Sequence, residues 1–357
     1  MNSKERVLTA INHKEPDRVP ILATFTPQII KTLMDETGYS EEEVGLKLGD
    51  DIILVEFGMV TGYYGGGCFG HSAYMADERG AYVDEWGIRW QTMGYYTEMA
   101  KHPLAQATMD DLDDYPWPDL LKEENFEAAR ETIRKYGDEY AIFASEVMTT
   151  EAAWYMRGSE NFWTDLILNK DFAHKLLDIV TELHVQAALK MIELGVDVIW
   201  IADDVGTQRG MLISPELWQE FVKPLYADMI TRFKEKNPEI KVAYHSDGDI
   251  RAIIPELIEA GIDILNPIQP RCMDPAELKR KYGEHLTLWG SIDVQGTMPF
   301  GAPREVEEEV KLRMRTLAPG GGFIISPAHN IQPDTPLKNV FAFYEAAKRY
   351  GTHPIQC

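Results

Sequence analysis

Cysteine is nearly absent from this chain, with only Cys68, Cys272 and Cys357 among 357 residues. None of the three forms a Cys-x-x-Cys pair, and an odd number does not suit a framework of disulfide bonds. A secreted, disulfide-stabilised scaffold is therefore excluded, and we expect the protein to work in a reducing compartment.

Basic residues are also in deficit, because 35 Lys and Arg stand against 58 Asp and Glu, for a formal net charge of −23. Nucleic acids and anionic membrane surfaces are bound through clustered Lys and Arg, so neither is an expected partner. No run approaches roughly 18 apolar residues, and the first residues contain no apolar signal core. The sequence predicts a cytoplasmic protein that does not cross a membrane.

What the chain does contain is a series of short apolar runs. Eight of them begin near residues 20, 52, 141, 198, 241, 263, 286 and 322, and stretches with helical spacing separate most of them. Apolar runs without alternation are typical of parallel strands buried on both faces. The pattern predicts a (β/α)8 barrel formed by a single domain, residues 1–357. A doubly wound sheet is the alternative, but no run is followed by a Gly-rich dinucleotide or P-loop motif, which argues against nucleotide binding.

A long segment, residues 57–140, separates the second and third runs and is predicted to be an insertion or lid. It contains the glycine cluster Gly62 to Gly67 and then an alternating stretch rich in Tyr and Trp. The alternation predicts antiparallel strands around Ala81–Val83 and Ile88–Thr92, with Trp86 near the turn. Insertions of this length carry specificity or cover a site; a packing excursion or an oligomer surface is the alternative.

Polar residues cluster where the apolar runs end. In the stretch KVAYHSDGDI, residues 241–250, His245 and Asp247 directly follow a buried run, and Gly248 permits a sharp turn. Residues two apart in an extended chain project to the same side. All strand ends of a barrel open on one face. We therefore expect one site built from the polar residues at these ends: Glu56, Glu146, Asp203, Asp204, His245, Asp247, Gln269, Asp293 and His329.

Two histidines and several carboxylates in one opening indicate either a metal site or an acid–base site. His245, Asp247 and His329 would supply two nitrogens, one oxygen and an open position, which suits zinc or another divalent metal acting as a Lewis acid. In the metal-free alternative, the carboxylates hydrogen-bond to NH or OH groups of a substrate.

The remaining candidates are given roles by their position. The residues assigned to catalysis are Glu146, Asp204 and Asp247, and those assigned to substrate binding are Glu56, Trp86, Gln269 and Asp293. For Glu146 and Asp204 the alternative is a structural carboxylate inside the barrel. Cys272 follows Gln269 closely, and an ordinary buried thiol is the simpler interpretation of it.

Five stretches carry a resemblance to a known family: RVLTAINHKEPDRVP at 6–20, VDEWG at 83–87, IADDVGTQRGMLISPELWQEFVKPLY at 201–226, HSDGDIRAIIPELIEAGIDILNPIQP at 245–270 and WGSIDVQGTMPFGAPREV at 289–306. Together they resemble the uroporphyrinogen decarboxylase family, over nearly the whole chain, and more closely its cobalamin-dependent methyltransferase branch. The resemblance implies a (β/α)8 barrel, in agreement with the eight runs, and it also implies a homodimer.

The two branches of the family differ at positions that this chain shows. Decarboxylases carry an arginine-rich loop after the first strand, whereas Phe25–Glu36, FTPQIIKTLMDE, contains no arginine. A porphyrin's carboxylates would find few cationic partners there. In the methyltransferase branch, zinc is held by His-x-Cys and a later Cys. His245 matches that histidine, Asp247 stands in place of the first Cys, and His329 or Asn330 falls near the second.

A site of nitrogen and oxygen donors suits the polarisation of an oxygen rather than the activation of a thiol. The hypothesis is a metal-assisted enzyme that demethylates a small substrate, such as a methoxylated aromatic, and passes the methyl group to a corrinoid. The chain contains no corrinoid-binding Asp-x-His-x-x-Gly, so the cobalamin would be carried by a separate partner protein. The aromatic residues of the insertion would stack on the ring of such a substrate, or they would form a plain aromatic core. These residues are Tyr63, Tyr64, Trp86, Trp90, Tyr95 and Tyr96. A lyase without cofactor and a barrel with only a binding role are the alternatives.

Overall fold

The computed structural model describes residues 1–57, 81–93 and 96–356, apart from the side chains of residues 92, 93, 96, 97, 145 and 146. The described strands are β1 (Ile52–Val55), β2 (Ala81–Val83), β3 (Arg89–Met93), β4 (Tyr96–Lys101), β5 (Ala141–Val147), β6 (Val198–Ala202), β7 (Gly206–Thr207), β8 (Gly210–Met211), β9 (Lys241–His245), β10 (Ile264–Ile268), β11 (Thr287–Ile292) and β12 (Phe323–Pro327). Seven of them form a curled parallel sheet in the order β1-β5-β6-β9-β10-β11-β12. Seven of the eight predicted runs are therefore parallel strands, and the mixed α/β class is confirmed.

The first predicted run, Val19–Phe25, forms no regular strand, and the prediction is wrong there. It makes single parallel bridges from Ile21 to β12 and from Phe25 to Ile331. The N–H of Ile21 donates to the Asp51 carboxylate at 2.9 Å, which takes the place of a strand partner. Prolines on either side of Arg18 also remove backbone donors from the entry to this run.

Helices connect most of the strands. Their bounds are α1 (Ser3–Ile11), α2 (Pro27–Thr37), α3 (Glu41–Leu48), α4 (Met109–Asp114), α5 (Glu127–Tyr136), α6 (Thr150–Arg157), α7 (Ser159–Leu168), α8 (Lys170–Leu194), α9 (Pro215–Phe221), α10 (Lys223–Lys236), α11 (Ile254–Ala260), α12 (Pro275–Tyr282), α13 (Thr297–Phe300), α14 (Pro303–Leu317) and α15 (Leu337–Tyr350). Ser214 caps α9 by accepting the N–H of Leu217 at 3.3 Å. None of the helices described here is long and apolar enough to span a bilayer.

The described part of the segment 57–140 contains the predicted antiparallel strands. β2, β3 and β4 form a three-stranded sheet. Asp84 holds its turn together, because its carboxylate accepts the N–H of Ile88 at 2.8 Å and the indole N–H of Trp90 at 2.7 Å. Trp86 stacks on His184 of α8 at 5.2 Å, which attaches the small sheet to the main body. The glycine cluster at 62–67 lies outside the described residues.

One apolar cluster lies on the concave face of the curled sheet. It takes alternate residues from all seven strands: Ile52, Leu54, Ala141, Phe143, Val198, Ala243, Ile264, Trp289 and Ile324, with Trp200 packed against it. Side chains of a strand alternate between its faces. The next inward positions towards the carboxyl ends of β1, β9 and β10 are therefore Glu56, His245 and Asn266. The fold thus places polar groups directly above an apolar floor.

Candidate metal centre

The site begins where β9 ends. Val242, Ala243 and Tyr244 are fully buried, and the chain then turns at Gly248, whose φ is +87°. A β-carbon at Gly248 would lie 2.5 Å from the backbone nitrogen of Thr207, so only glycine fits this turn. The turn leaves His245 and Asp247 at the carboxyl edge of the sheet, as predicted.

Three side chains converge at this edge. Asp204, His245 and Asp247 each offer one ligand atom, and these atoms all lie within 4.8 Å of one another. The Nε2 atom of His245 lies 3.7 Å from the Asp204 carboxylate. Asp204 also accepts the backbone N–H of Asp247 at 2.6 Å, which joins the loops after β6 and β9. Asp204, predicted as a catalytic residue, thus lies with two of the predicted metal ligands.

Two atoms of this group have no hydrogen-bond partner among the described residues. They are Nε2 of His245 and Oδ1 of Asp247, and both are buried. Burying polar atoms without partners costs about 1–3 kcal/mol each. The Nδ1 atom of His245, in contrast, lies 2.6 Å from Oδ1 of Asn266. Asn266 was not among the predicted site residues, because its place beside His245 follows from the register of β9 and β10 and not from a local sequence pattern.

The electrostatics of the group favour a cation. Although the Asp204 side chain is 29% exposed, burial raises the pKa of its carboxyl group; the nearby His245 acts in the opposite direction, and the charge of Asp247 adds to the increase. Two carboxylates this close repel each other when both are ionised. A bound cation would relieve that repulsion.

Asp203, the neighbour of Asp204, has a different role. It is fully buried and accepts hydrogen bonds from the N–H of Glu151 at 2.8 Å, from Tyr226 at 2.5 Å and from the hydroxyl of Thr149. These partners satisfy its oxygens and fix the start of α6. Asp203 is therefore a structural carboxylate, although the sequence placed it with the site residues.

Gln269, predicted to bind substrate, supports the turn after β9. Its Oε1 atom accepts the N–H of Gly248 at 2.7 Å and the thiol of Cys272 at 3.2 Å. Cys272 thus lies at the edge of the site with an amide partner, and burial raises the pKa of its thiol. A neutral thiol is a poor metal ligand, in keeping with the ordinary role expected for Cys272.

Two other predicted substrate-binding residues already have protein partners. Asp293 forms an ion pair with Arg271 at 2.9 Å. Trp86 is buried between the edge of Trp117 and the face of His184. Burial lowers the pKa of His184 to about 4, so this stacking partner is neutral. The roles of Asp293 and Trp86 in substrate binding stay predictions.

The remaining candidates lie at the same edge of the sheet. Glu56 follows β1, and burial raises the pKa of its carboxyl group to about 8. His329 follows β12 and is near enough to Asp204 to act on the pKa of that carboxyl group. His329 does not belong to the group whose ligand atoms lie within 4.8 Å. Glu146 lies in β5, and its side chain is outside the described part of the structure.

The donor set of Asp204, His245 and Asp247 fits a divalent metal. Ligand atoms that share a tetrahedral zinc ion at about 2.0–2.2 Å lie roughly 3.5 Å apart, and the three donor atoms, all within 4.8 Å of one another, are near enough to converge on one ion. One imidazole nitrogen and two carboxylate oxygens suit zinc and harder divalent ions. The buried atoms without partners on His245 and Asp247 are those that such an ion would contact.

The chain is similar to two groups of known proteins. The model of the uroporphyrinogen decarboxylase (URO-D) family matches residues 90–350. Methylcobamide:CoM methyltransferase MtaA from Methanosarcina barkeri is 26% identical, over 97% of this chain and 98% of that protein. Uroporphyrinogen decarboxylase from a Synechococcus species is 27% identical, over 50% of this chain and 48% of that protein.

A solved structure shares the fold. A methyltransferase from Methanosarcina mazei superposes with a TM-score of 0.70, over 98% of this chain and 99% of that chain, at 22% identity. The similarity at this level of identity concerns the architecture alone.

Proposed function

This chain belongs to the uroporphyrinogen decarboxylase family, and we propose that it is a corrinoid-linked methyltransferase, the branch that its sequence resembles. The similarity to one methylcobamide:CoM methyltransferase extends over 97% of the chain, whereas the similarities to decarboxylases extend over 50–63%. In this proposal a small methyl donor binds at the carboxyl edge of the sheet. The corrinoid is carried by a separate protein.

The observation that supports metal assistance is the group of Asp204, His245 and Asp247, with ligand atoms within 4.8 Å of one another. These residues would hold zinc or another divalent ion. Such an ion supplies, when bound, a Lewis acid that stabilises an oxygen from which a methyl group departs. Asp204 is added to the predicted metal ligands His245 and Asp247. His329 remains a proposed fourth donor or a substrate contact.

The chemistry of the donors also bears on the substrate. Without a thiolate in the group, the site suits an oxygen leaving group better than a thiol, so we propose a methoxylated donor, with an aromatic ether as the first candidate. Trp86 and Trp90 are buried, which favours an aromatic core for these two residues. Tyr63, Tyr64 and Tyr95 lie outside the described residues, and the side chain of Tyr96 does as well.

Two features of the fold belong to the same proposal. We propose that Val19–Phe25 closes the sheet into a barrel, because Ile21 bridges to β12 and its carbonyl accepts the N–H of Asp51, next to β1. We also propose that residues 57–140 cover the opening as a lid. A homodimer and a cytoplasmic location stay predictions from the sequence.

The function is tested by direct assay. Protein loaded with zinc is mixed with cob(I)alamin. Separate samples of this mixture then receive 2-methoxyphenol, methanol or uroporphyrinogen. We expect the visible spectrum of methylated cobalamin and release of catechol with 2-methoxyphenol, and loss of both in His245→Ala. Arg209→Ala, an exposed residue of the β7–β8 turn, is the matched control. Decarboxylation of uroporphyrinogen by protein free of metal would instead establish the lyase.

A further inference from the structure

We propose that Asn266 is a positioning residue that fixes the tautomer of His245, so that its Nε2 atom presents a lone pair to the centre of the site. The tautomer can be measured on the protein alone. The consequence for metal binding rests on the proposed function. Nothing in the sequence pattern pointed to Asn266, because it lies within β10 rather than after its end.

The hydrogen bond between the two side chains determines where the proton lies. Oδ1 of Asn266 is 2.6 Å from Nδ1 of His245, and an amide oxygen only accepts hydrogen bonds. Nδ1 of a neutral His245 must therefore carry the proton, and Nε2 must carry the lone pair. The amide Nδ2 of Asn266 faces the carbonyl oxygen of Trp289 at 3.5 Å. A flipped amide would place its oxygen against the Trp289 carbonyl oxygen, where the two oxygens repel each other, which disfavours the opposite orientation.

The backbone and a neighbouring ring hold both side chains in place. Asn266 and His245 are paired residues of adjacent parallel strands, and the N–H of Ser246 donates to the Asn266 carbonyl at 3.0 Å. Asn266 is 5% exposed and His245 is 8% exposed. The ring of Trp200 meets the imidazole edge-on, with centroids 5.5 Å apart. The imidazole therefore has little freedom to rotate away from Asn266.

This tautomer leaves a repulsive interaction at the centre of the site. If Nε2 carried the proton, it would point it towards the Asp204 carboxylate, 3.7 Å away, and the two groups would attract each other. With the proton on Nδ1, a lone pair faces two carboxylates instead. A cation between the three groups removes that repulsion. Hydrogen bonds that orient a metal-binding histidine in this way typically contribute 10- to 100-fold to metal affinity.

The tautomer is tested by NMR of metal-free protein labelled with ¹⁵N at its nine histidines, near pH 8.5, about two units above the ordinary pKa of histidine. His245 is assigned by its absence in His245→Gln. We expect an Nδ1–H imidazole in the wild type and in Asn266→Asp, which keeps the acceptor. In Asn266→Leu we expect a shift to Nε2–H. His245 with Nε2–H in the wild type would overturn the proposal.

Two other histidines serve as internal controls for folding. Nδ1 of His102 lies 2.7 Å from the Tyr155 carbonyl, and Nδ1 of His184 lies 2.9 Å from the Val180 carbonyl. Both acceptors are backbone oxygens remote in sequence from Asn266. Both histidines should remain Nδ1–H in every Asn266 variant. A change at all three would reveal unfolding of that variant, in which case Asn266→Ala provides a smaller replacement that also lacks an acceptor.

The consequence for metal is measured by competition between each protein and a chelator for Zn²⁺. We expect Asn266→Leu to bind Zn²⁺ 10- to 100-fold more weakly than the wild type, and Asn266→Asp to bind at least as tightly. Equal affinity of Asn266→Leu and wild type would overturn the inference while leaving the proposed function intact. A wild type that binds no Zn²⁺ would overturn metal assistance, whereas the NMR result would still decide the tautomer.

Discussion

The two edges of the parallel sheet use buried carboxylates in opposite ways. At the amino edge, Asp51 is fully buried and accepts hydrogen bonds from Arg6 at 2.7 Å, Arg18 at 2.7 Å, Ser3 at 2.8 Å and the N–H of Ile21 at 2.9 Å. Every lone pair of that carboxylate has a donor close by. The network ties α1 and the first extended segment to the start of β1.

At the carboxyl edge, Asp203 is paired in the same way, but several other buried polar atoms have no such partners. Within the described part of the chain, Nε2 of His245, Oδ1 of Asp247 and Oε2 of Glu56 have no hydrogen-bond partner. An unpaired buried polar atom opposes folding. The carboxyl edge therefore lowers the free energy of unfolding, whereas the paired carboxylate at the amino edge does not. The amino edge therefore holds the fold together, while the carboxyl edge is arranged to bind a ligand.

Removing Asp51 should break the amino edge and have the largest effect. Asp51→Ala leaves the guanidinium groups of Arg6 and Arg18 without their buried partner, and such losses cost about 3–5 kcal/mol. Urea unfolding should show this decrease in the free energy of unfolding. Asp17→Ala, which removes the more exposed partner of Arg6, is the control and should cost about 1 kcal/mol or less. Equal effects of the two changes would contradict the comparison.

Separating two loops at the carboxyl edge should reduce metal affinity as well as stability. A β-carbon at Gly206 would lie far inside van der Waals contact with the carbonyl oxygen of Asp247. Gly206→Ala must therefore push the loop that carries Asp204 away from Asp247. We expect a loss of about 1–3 kcal/mol in stability and at least about tenfold weaker Zn²⁺ binding.

Gly210→Ala lies on the same β7–β8 hairpin and controls for backbone strain. A β-carbon there would meet no atom within 4 Å, although its φ of +148° disfavours other residues. It should lower stability but leave the Zn²⁺ affinity of the folded protein unchanged. Weaker Zn²⁺ binding in Gly210→Ala as in Gly206→Ala would show that the contact with Asp247 is not what matters.

Glu56 should make the stability of the protein depend on pH. Burial raises the pKa of its carboxyl group from 4.5 to about 8 in the folded state. Its contribution to stability is therefore full below pH 4.5 and is lost as the pH rises through about 8. Glu56→Gln removes this loss, so the free energy of unfolding of the variant, relative to wild type, should rise between pH 5 and 9.

Glu36→Gln, at an exposed position of α2, is the matched control for Glu56→Gln. Its free energy of unfolding should follow that of the wild type at every pH between 5 and 9. A difference between Glu56→Gln and wild type that stays constant over this range would mean that Glu56 titrates normally. That result would remove Glu56 from the set of unsatisfied groups at the carboxyl edge.

Cys272 should have the smallest effect. Its thiol donates to Gln269, and a serine hydroxyl makes the same hydrogen bond. Cys272→Ser should change the free energy of unfolding by less than about 1 kcal/mol and leave Zn²⁺ affinity unaltered. A loss of affinity of 100-fold or more in Cys272→Ser would instead make the thiol a ligand, and the centre would no longer be built from nitrogen and oxygen donors alone.

The sequence predicted the carboxyl edge of the sheet better than it predicted the structure of the first apolar run. His245 and Asp247 follow a run whose burial is evident from its apolar residues, so the end of β9 and its turn could be read directly. Val19–Phe25 has the same apolar character, yet carboxylates of Asp50 and Asp51 bind its backbone N–H groups in place of a regular strand. Contacts between residues so far apart in sequence leave no local pattern.

Within the site, the sequence identified residue types but not their partners. Asp203 and Asp204 are adjacent and chemically identical, and only the structure shows that Thr149 and Tyr226 satisfy the first of them. Asn266 was missed because a buried amide inside a strand resembles a packing residue. Its role depends on register with His245, and register is fixed by the whole sheet rather than by neighbours in sequence.

The most direct test of the unsatisfied carboxyl edge is the metal content of the protein. Wild type, His245→Ala and Asp51→Asn are incubated with Zn²⁺, freed of loose ions and analysed by mass spectrometry of the metal. We predict about one tightly bound ion per chain in the wild type and in folded Asp51→Asn, and none in His245→Ala. A wild type without bound metal, or His245→Ala with an undiminished amount, would contradict the account.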